Sequence, residues 1–293
     1  MNNLALLPDV LAGSVVLAGI YLLVGLSWVV IFRASQLMNF STGQMMVLGA
    51  FVAASLIGAG WNYWVTLVVV VLGMAVLGVV VYRFLLRPLA GRDIFAPVVA
   101  TLGLSIVVQG VIQVIWGPNL LQLTPPFENS ALHLPLGITI GVNDLLVPGV
   151  AVVAYIGLIL FMRRTKFGGQ MRAANESPLL ASQSGMNVYL IFGVAFALSF
   201  AALTLAGIAN AQRSVVGLSA VTLGLKGLVP AMLGGLNSVE GAAVGALVVA
   251  VAESLAVFFL GSAWSDLVVF VILLLVLAVR PNGLFGKALA ERV

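Results

Sequence analysis

The chain alternates between long uncharged apolar runs and short polar breaks, and the run lengths set the expected architecture. About 20 apolar residues cover the hydrocarbon core of a bilayer as a helix. Runs of that kind predict spans at about Val10–Phe32, Leu37–Ile57, Val65–Tyr82, Ile94–Trp116, Leu145–Met162, Val188–Ala211, Ala242–Leu260 and Leu267–Val279. One further run, Leu225–Gly235, is too short to cross as a regular helix and contains Pro230, so it predicts a broken or re-entrant segment. The expected fold is an all-α polytopic membrane protein of about eight transmembrane helices plus one short broken segment. No polar block is long enough for a soluble domain, so residues 1–293 read as one transmembrane domain.

The longest strongly polar run is Arg163–Asn187, and four of its first ten residues are cationic (Arg163, Arg164, Lys166, Arg172). Such a run is unstable in hydrocarbon and is expected as a solvated loop between two spans. Its second half, Met171–Gly185, has helix-forming residues around Pro178 and predicts a short surface helix or a pair of them. Residues 117–144 form the longest loop on the opposite face. With Arg163–Asn187 inside, 11 of the 13 Lys and Arg fall on that side, Arg213 falls outside and Lys226 sits by the short segment. This asymmetry predicts the N-terminus outside and the C-terminus in the cytoplasm. Arg33 is the first cation, so no basic region precedes the first apolar run, which is expected to be retained as a helix.

Composition narrows the chemistry. The chain is 62% hydrophobic and only 8% charged, against about a quarter charged in soluble domains. It has no cysteine and a single histidine, His133, which leaves no expected metal site and no disulfide. No GxSxG, HExxH or GxxxxGK[ST] motif is present, so no catalytic residue is expected, nor ATP hydrolysis by this chain alone. The net charge of +4 comes from cations beside spans and is not a nucleic-acid signature.

The remaining polar positions are candidates for a solute path or for structural pairing. Asn39, Ser41, Thr42 and Gln44 cluster where a helix is expected to start near the inner face; they either line a path or cap the helix. Gln109 and Gln113 are four apart and share a helix face. Glu253 falls in the outer part of its span, and Lys226 is its best partner by depth, read as a structural pair locking two helices. Gly241 and Gly245 permit close helix approach. Asn39-Phe-Ser-Thr-Gly43 is echoed by Asn237-Ser-Val-Glu-Gly241, each before a span carrying Gly-Ala and each followed by a later Arg-Pro. The echo suggests an internal repeat, which brings Asn237 into the pathway set.

Several blocks together resemble the H-type permease subunits of bacterial branched-chain amino acid ABC transporters. Asn39-Phe-Ser-Thr-Gly43 through Gly49-Ala50 is similar to the family's early motif. Arg164-Thr-Lys-Phe-Gly168, Met171-Arg-Ala-Ala-Asn-Glu-Ser-Pro178 and Ala181…Gly185-Met-Asn187 resemble its cytoplasmic coupling loop. Leu233-Gly-Gly-Leu-Asn-Ser-Val-Glu-Gly241 and Arg280-Pro-Asn-Gly-Leu-Phe-Gly286 resemble its late block and ending. Departures are Glu176-Ser177 ahead of Pro178, the polar Ser182-Gln183-Ser184, and Glu240.

The resemblance implies a permease of the bacterial inner membrane that is not itself an enzyme. It implies residues 163–187 as the coupling loop, with Arg172, Ala173, Ala174, Glu176, Pro178, Ala181 and Gly185 on the ATPase side, and residues 117–144 as a periplasmic loop. It implies a second permease (an M-type paralogue or a copy of this chain), two ATP-binding subunits carrying ATP and Mg, a periplasmic solute-binding protein, surrounding lipid and no nucleic acid. The cargo is expected to be a branched-chain or other amino acid; urea and short amides are carried by the same family fold. An ion-coupled secondary transporter is the other class of reading, with Glu253 as the main candidate for coupling.

Overall fold

The structure is a computed structural model, and it describes residues 6–89, 95–127, 131–133 and 139–286. Among these, seven helices are long and apolar enough to cross a membrane. They are Leu7–Ser35 (α1), Tyr63–Leu89 (α3, Tyr63–Val81, and its continuation), Phe95–Trp116 (α4), Val142–Arg164 (α5), Val188–Arg213 (α8), Val239–Leu260 (α11) and Ser262–Val279 (α12 from Ser265). Two shorter apolar helical segments accompany them, Thr42–Gly58 (α2), where an eighth span is expected, and the broken Leu218–Gly234. The polytopic helical architecture is the expected one. Its one departure is a pair of three-residue antiparallel strands, Ala131–His133 (β1) and Thr139–Gly141 (β2), within residues 117–144.

Boundaries moved where backbone geometry overrode hydropathy. The second span begins at Thr42 rather than Leu37, because α1 ends at Gln36 in a left-handed cap (φ 55°) whose N–H bonds the Phe32 carbonyl at 2.8 Å. The broken segment begins at Leu218 rather than Leu225. It comprises a 3-10 turn (Leu218–Ala220), α9 (Val221–Lys226) and α10 (Leu228–Gly234). Its break falls at Gly227, not Pro230. Pro230 sits in the first turn of α10, where a helix leaves its amides unpaired and a missing N–H costs little. Arg83 and Arg87 also lie on helix, because α3 runs on through a π turn (Tyr82–Leu86) to Leu89. Arg92 and Asp93 lie outside the described residues.

Helix α1 is the axis. Most of its residues are buried, including Tyr21 and Trp28, and it packs on α5, α8, α10 and α11. Helix α8 packs on α1, α2 and α3. The outward faces of α3, α4, α5 and α12 are apolar and exposed, as lipid contact requires. The two ends of the bundle differ. Arg33, Arg163, Arg172 and Glu240 gather at one end, where Arg87 also stacks on the Tyr189 ring at 4.4 Å. At the other end Arg213 pairs with Asp144 at 3.3 Å, and a backbone bridge joins Leu121 to Val216.

Candidate functional site

The site forms where two interrupted helices meet. Between α1 and α2 the chain runs without helical hydrogen bonding, and Asn39 organises it. The Asn39 Oδ1 accepts the Ser41 N–H (3.1 Å) and the Ser41 hydroxyl (2.7 Å). Ser41 therefore stands at the N-cap position of α2 with its side chain turned back and not capping the helix. The Phe40 N–H is taken by Thr101 Oγ1 of α4 at 3.2 Å.

Helix α2 then starts against α9. A side chain at Gly43 would collide with the Val221 carbonyl, and one at Gly224 would collide with the Gly43 backbone. Only glycine permits this contact of main chain with main chain. Trp28 of α1 closes it, its indole N–H donating to the Gly224 carbonyl at 3.3 Å.

Asn39, Ser41, Thr42 and Gln44 are all buried at this junction, inside the bundle. Asn39 Nδ2, Thr42 Oγ1 and Gln44 Oε1 are buried without a partner among the described residues. Such atoms are costly in an apolar interior, so the junction is polar, unsaturated and able to engage a small polar group.

Beside it lies an ion cluster. The Lys226 ammonium, at the end of α9, is 3.0 Å from Glu253 Oε1 and also pairs with Asp266 of α12. The Tyr21 hydroxyl donates to the other Glu253 oxygen. One ammonium thus holds two carboxylates, and a phenol completes the coordination of the buried one. Hydropathy reasoning names Lys226 and Glu253 but misses Tyr21 and Asp266. Tyr21 is the only phenol in an otherwise apolar run, a signal that was available. Asp266 reads as an ordinary residue at a helix start.

The segment 163–187 folds as two short helices, α6 (Lys166–Glu176) and α7 (Pro178–Gln183), capped by Thr165 and Ser177. Ala174 and Ala181 are buried against the bundle, with Met171, while Arg172, Glu176 and Gly185 are exposed and Ala173 is half-buried. Pro178 opens α7. Arg172 donates to the Met162 carbonyl at the end of α5. Leu179 and Leu180 are exposed, and the sequence candidates omit them. Gln109 and Gln113 share a face, as their spacing predicts, but it is the exposed face of α4, away from the junction. Asn237 sits in the α10–α11 turn at the basic end, where Gly234 and Gly241 meet backbone to backbone.

The whole arrangement lies within a match to one family. Residues 10–277 match the family described as branched-chain amino acid transport system, permease component. The chain belongs to this family. It is a multi-pass permease subunit of an ABC importer and a transport component rather than an enzyme. It is 27% identical to the high-affinity branched-chain amino acid transport system permease protein BraD of Pseudomonas aeruginosa, over 97% of each chain. It is 25% identical to LivH of Escherichia coli (strain K12), named likewise, over 96% of each chain. The probable branched-chain amino acid transport permease LivH of Methanocaldococcus jannaschii is also 25% identical, over 94% of this chain and 92% of that one. Among solved structures, PsaBC from Streptococcus pneumoniae in complex with Fab aligns with a TM-score of 0.52 at 17% identity, over 94% of this chain and 92% of that one. At that identity the likeness concerns the fold alone.

Proposed function

We propose that this permease carries branched-chain amino acids, with the α2–α9 junction as its part of the translocation path. The observation that carries the cargo is the full-length similarity to relatives named for branched-chain amino acid transport. The junction supports the path because interrupted helices with unsatisfied polar groups recur where transporters meet their solutes. The basic end is cytoplasmic in this reading, which leaves the N-terminus outside and the C-terminus inside. The working machine contains a second permease, two ATP-binding subunits that bind ATP and Mg, and an external solute-binding protein, in the cytoplasmic membrane. The α6–α7 pair docks on an ATP-binding subunit. Its buried alanines hold it to the bundle, and exposed Leu179 and Leu180 offer an apolar contact.

The test is purification of this chain with its native neighbours, followed by an ATPase assay and leucine uptake in vesicles. Co-purification of an ATPase, lost when 173–183 is replaced by a Gly/Ser linker, is the expected outcome. A chain that takes up leucine without any ATPase partner sinks the docking role. Uptake of urea in preference to leucine sinks the cargo.

A further inference from the structure

A cavity of about 350 Å³ opens at the basic end between the last turns of α1 and α5 and the start of α11. Arg33, Arg163 and Arg172 line it, with Glu240 as the one carboxylate among its lining residues. Glu240 is neutralised by Arg163 at 2.9 Å. Arg172 spends one N–H on the Met162 carbonyl, and Arg33 makes no hydrogen bond or ion pair among the described residues. Three guanidiniums against one carboxylate, which acts on both Arg163 and Arg33, leave a surplus of two positive charges around the cavity. The positive end of the 22-residue α11 dipole adds to them.

Two apolar stripes rise from this cavity. On α5, Leu160, Ile156, Val153 and Val152 lead away from Arg163 at helical spacing and are exposed. On α11, Val244, Leu247 and Val248 lead away from Glu240 in the same way. The Arg163–Glu240 pair joins the feet of the two stripes.

We propose that this cavity binds the phosphate group of an anionic phospholipid, whose acyl chains lie along the α5 and α11 stripes. Guanidinium forks match phosphate oxygens in geometry as well as charge. Basic pockets between membrane helices are a recurrent form of headgroup site. A free phosphate would satisfy the same guanidiniums but leave the stripes unused.

The full-length chain is reconstituted in nanodiscs of equal phosphatidylglycerol and phosphatidylcholine, released, and weighed by native mass spectrometry. The expected result is retained phosphatidylglycerol in excess over phosphatidylcholine. Arg33→Gln is expected to lower that excess about tenfold, the weight of one charge-assisted hydrogen bond. Arg33→Lys should restore part of it. Arg164→Gln, an exposed cation that does not line the cavity, should leave it unchanged. Equal retention of the two lipids, or an excess indifferent to Arg33→Gln in a monodisperse variant, overturns the proposal. Displacement of the lipid by excess inorganic phosphate overturns the lipid as source and assigns the site to the free ion.

Discussion

Helix α11 carries two glutamates in ion pairs of nearly equal length, and their surroundings make them different objects. Glu240 meets Arg163 at 2.9 Å with side chains 49% and 67% exposed. Glu253 meets Lys226 at 3.0 Å with side chains 12% and 15% exposed. Water screens the first pair and replaces either partner when it is lost. The second has been taken out of water at a cost, and each charge depends on the other. The buried Glu253–Lys226 pair is therefore closed by specific partners, a phenol on the carboxylate and a second, exposed carboxylate, Asp266, on the ammonium. The exposed one carries surplus cations, a surplus that is tolerable only because the cavity is open. Distance alone does not weigh an ion pair; burial does.

Lys226→Met should have the largest effect. It leaves Glu253 and Asp266 without their shared cation, and the expected loss is about 3–5 kcal/mol, read as a fall in the unfolding midpoint in detergent. A loss below about 1 kcal/mol would put the two pairs in one class and break the comparison. Glu253→Gln should cost less, about 1–3 kcal/mol, because the amide still accepts from Tyr21 while Lys226 keeps Asp266. Leucine uptake should keep its pH profile in that variant; a lost pH dependence would instead mark Glu253 as a coupling carboxylate. Arg163→Gln should be the mildest, within about 1 kcal/mol and smaller still at high salt. A larger, salt-insensitive loss would show that the exposed pair acts as a lock between α5 and α11.

The legible and illegible parts of the chain divide along physical lines. Spans were readable because hydrocarbon forces each crossing segment to satisfy its own backbone, so span membership is a local property of length and apolarity. The pairing of Lys226 with Glu253 was readable from depth arithmetic. The start of α2 was not, because Leu37, Met38 and Phe40 continue the apolar run while Asn39 takes over the backbone amide that a helix would need. Helix α9 was hidden by Ser219, Thr222 and the glycines, which look like loop until Gly224 is seen packed on Gly43. Asp266 was hidden by its place at a helix start, where an acid ordinarily complements the dipole.

By itself the sequence determined that this chain is a bundle of membrane helices and that its cations crowd one end. Those properties follow from the bilayer acting on each segment separately. The tertiary structure decided which polar residues came together: Asn39 and Gln44 beside α9, Tyr21 and Asp266 around Lys226 and Glu253, and Gln109 and Gln113 on the outside. Inside a membrane, helices gain little hydrophobic drive from one another, so their contacts are chosen by small residues and polar partners far apart in sequence. Periodicity shows that two glutamines share a face, and only the packed neighbours show where that face points.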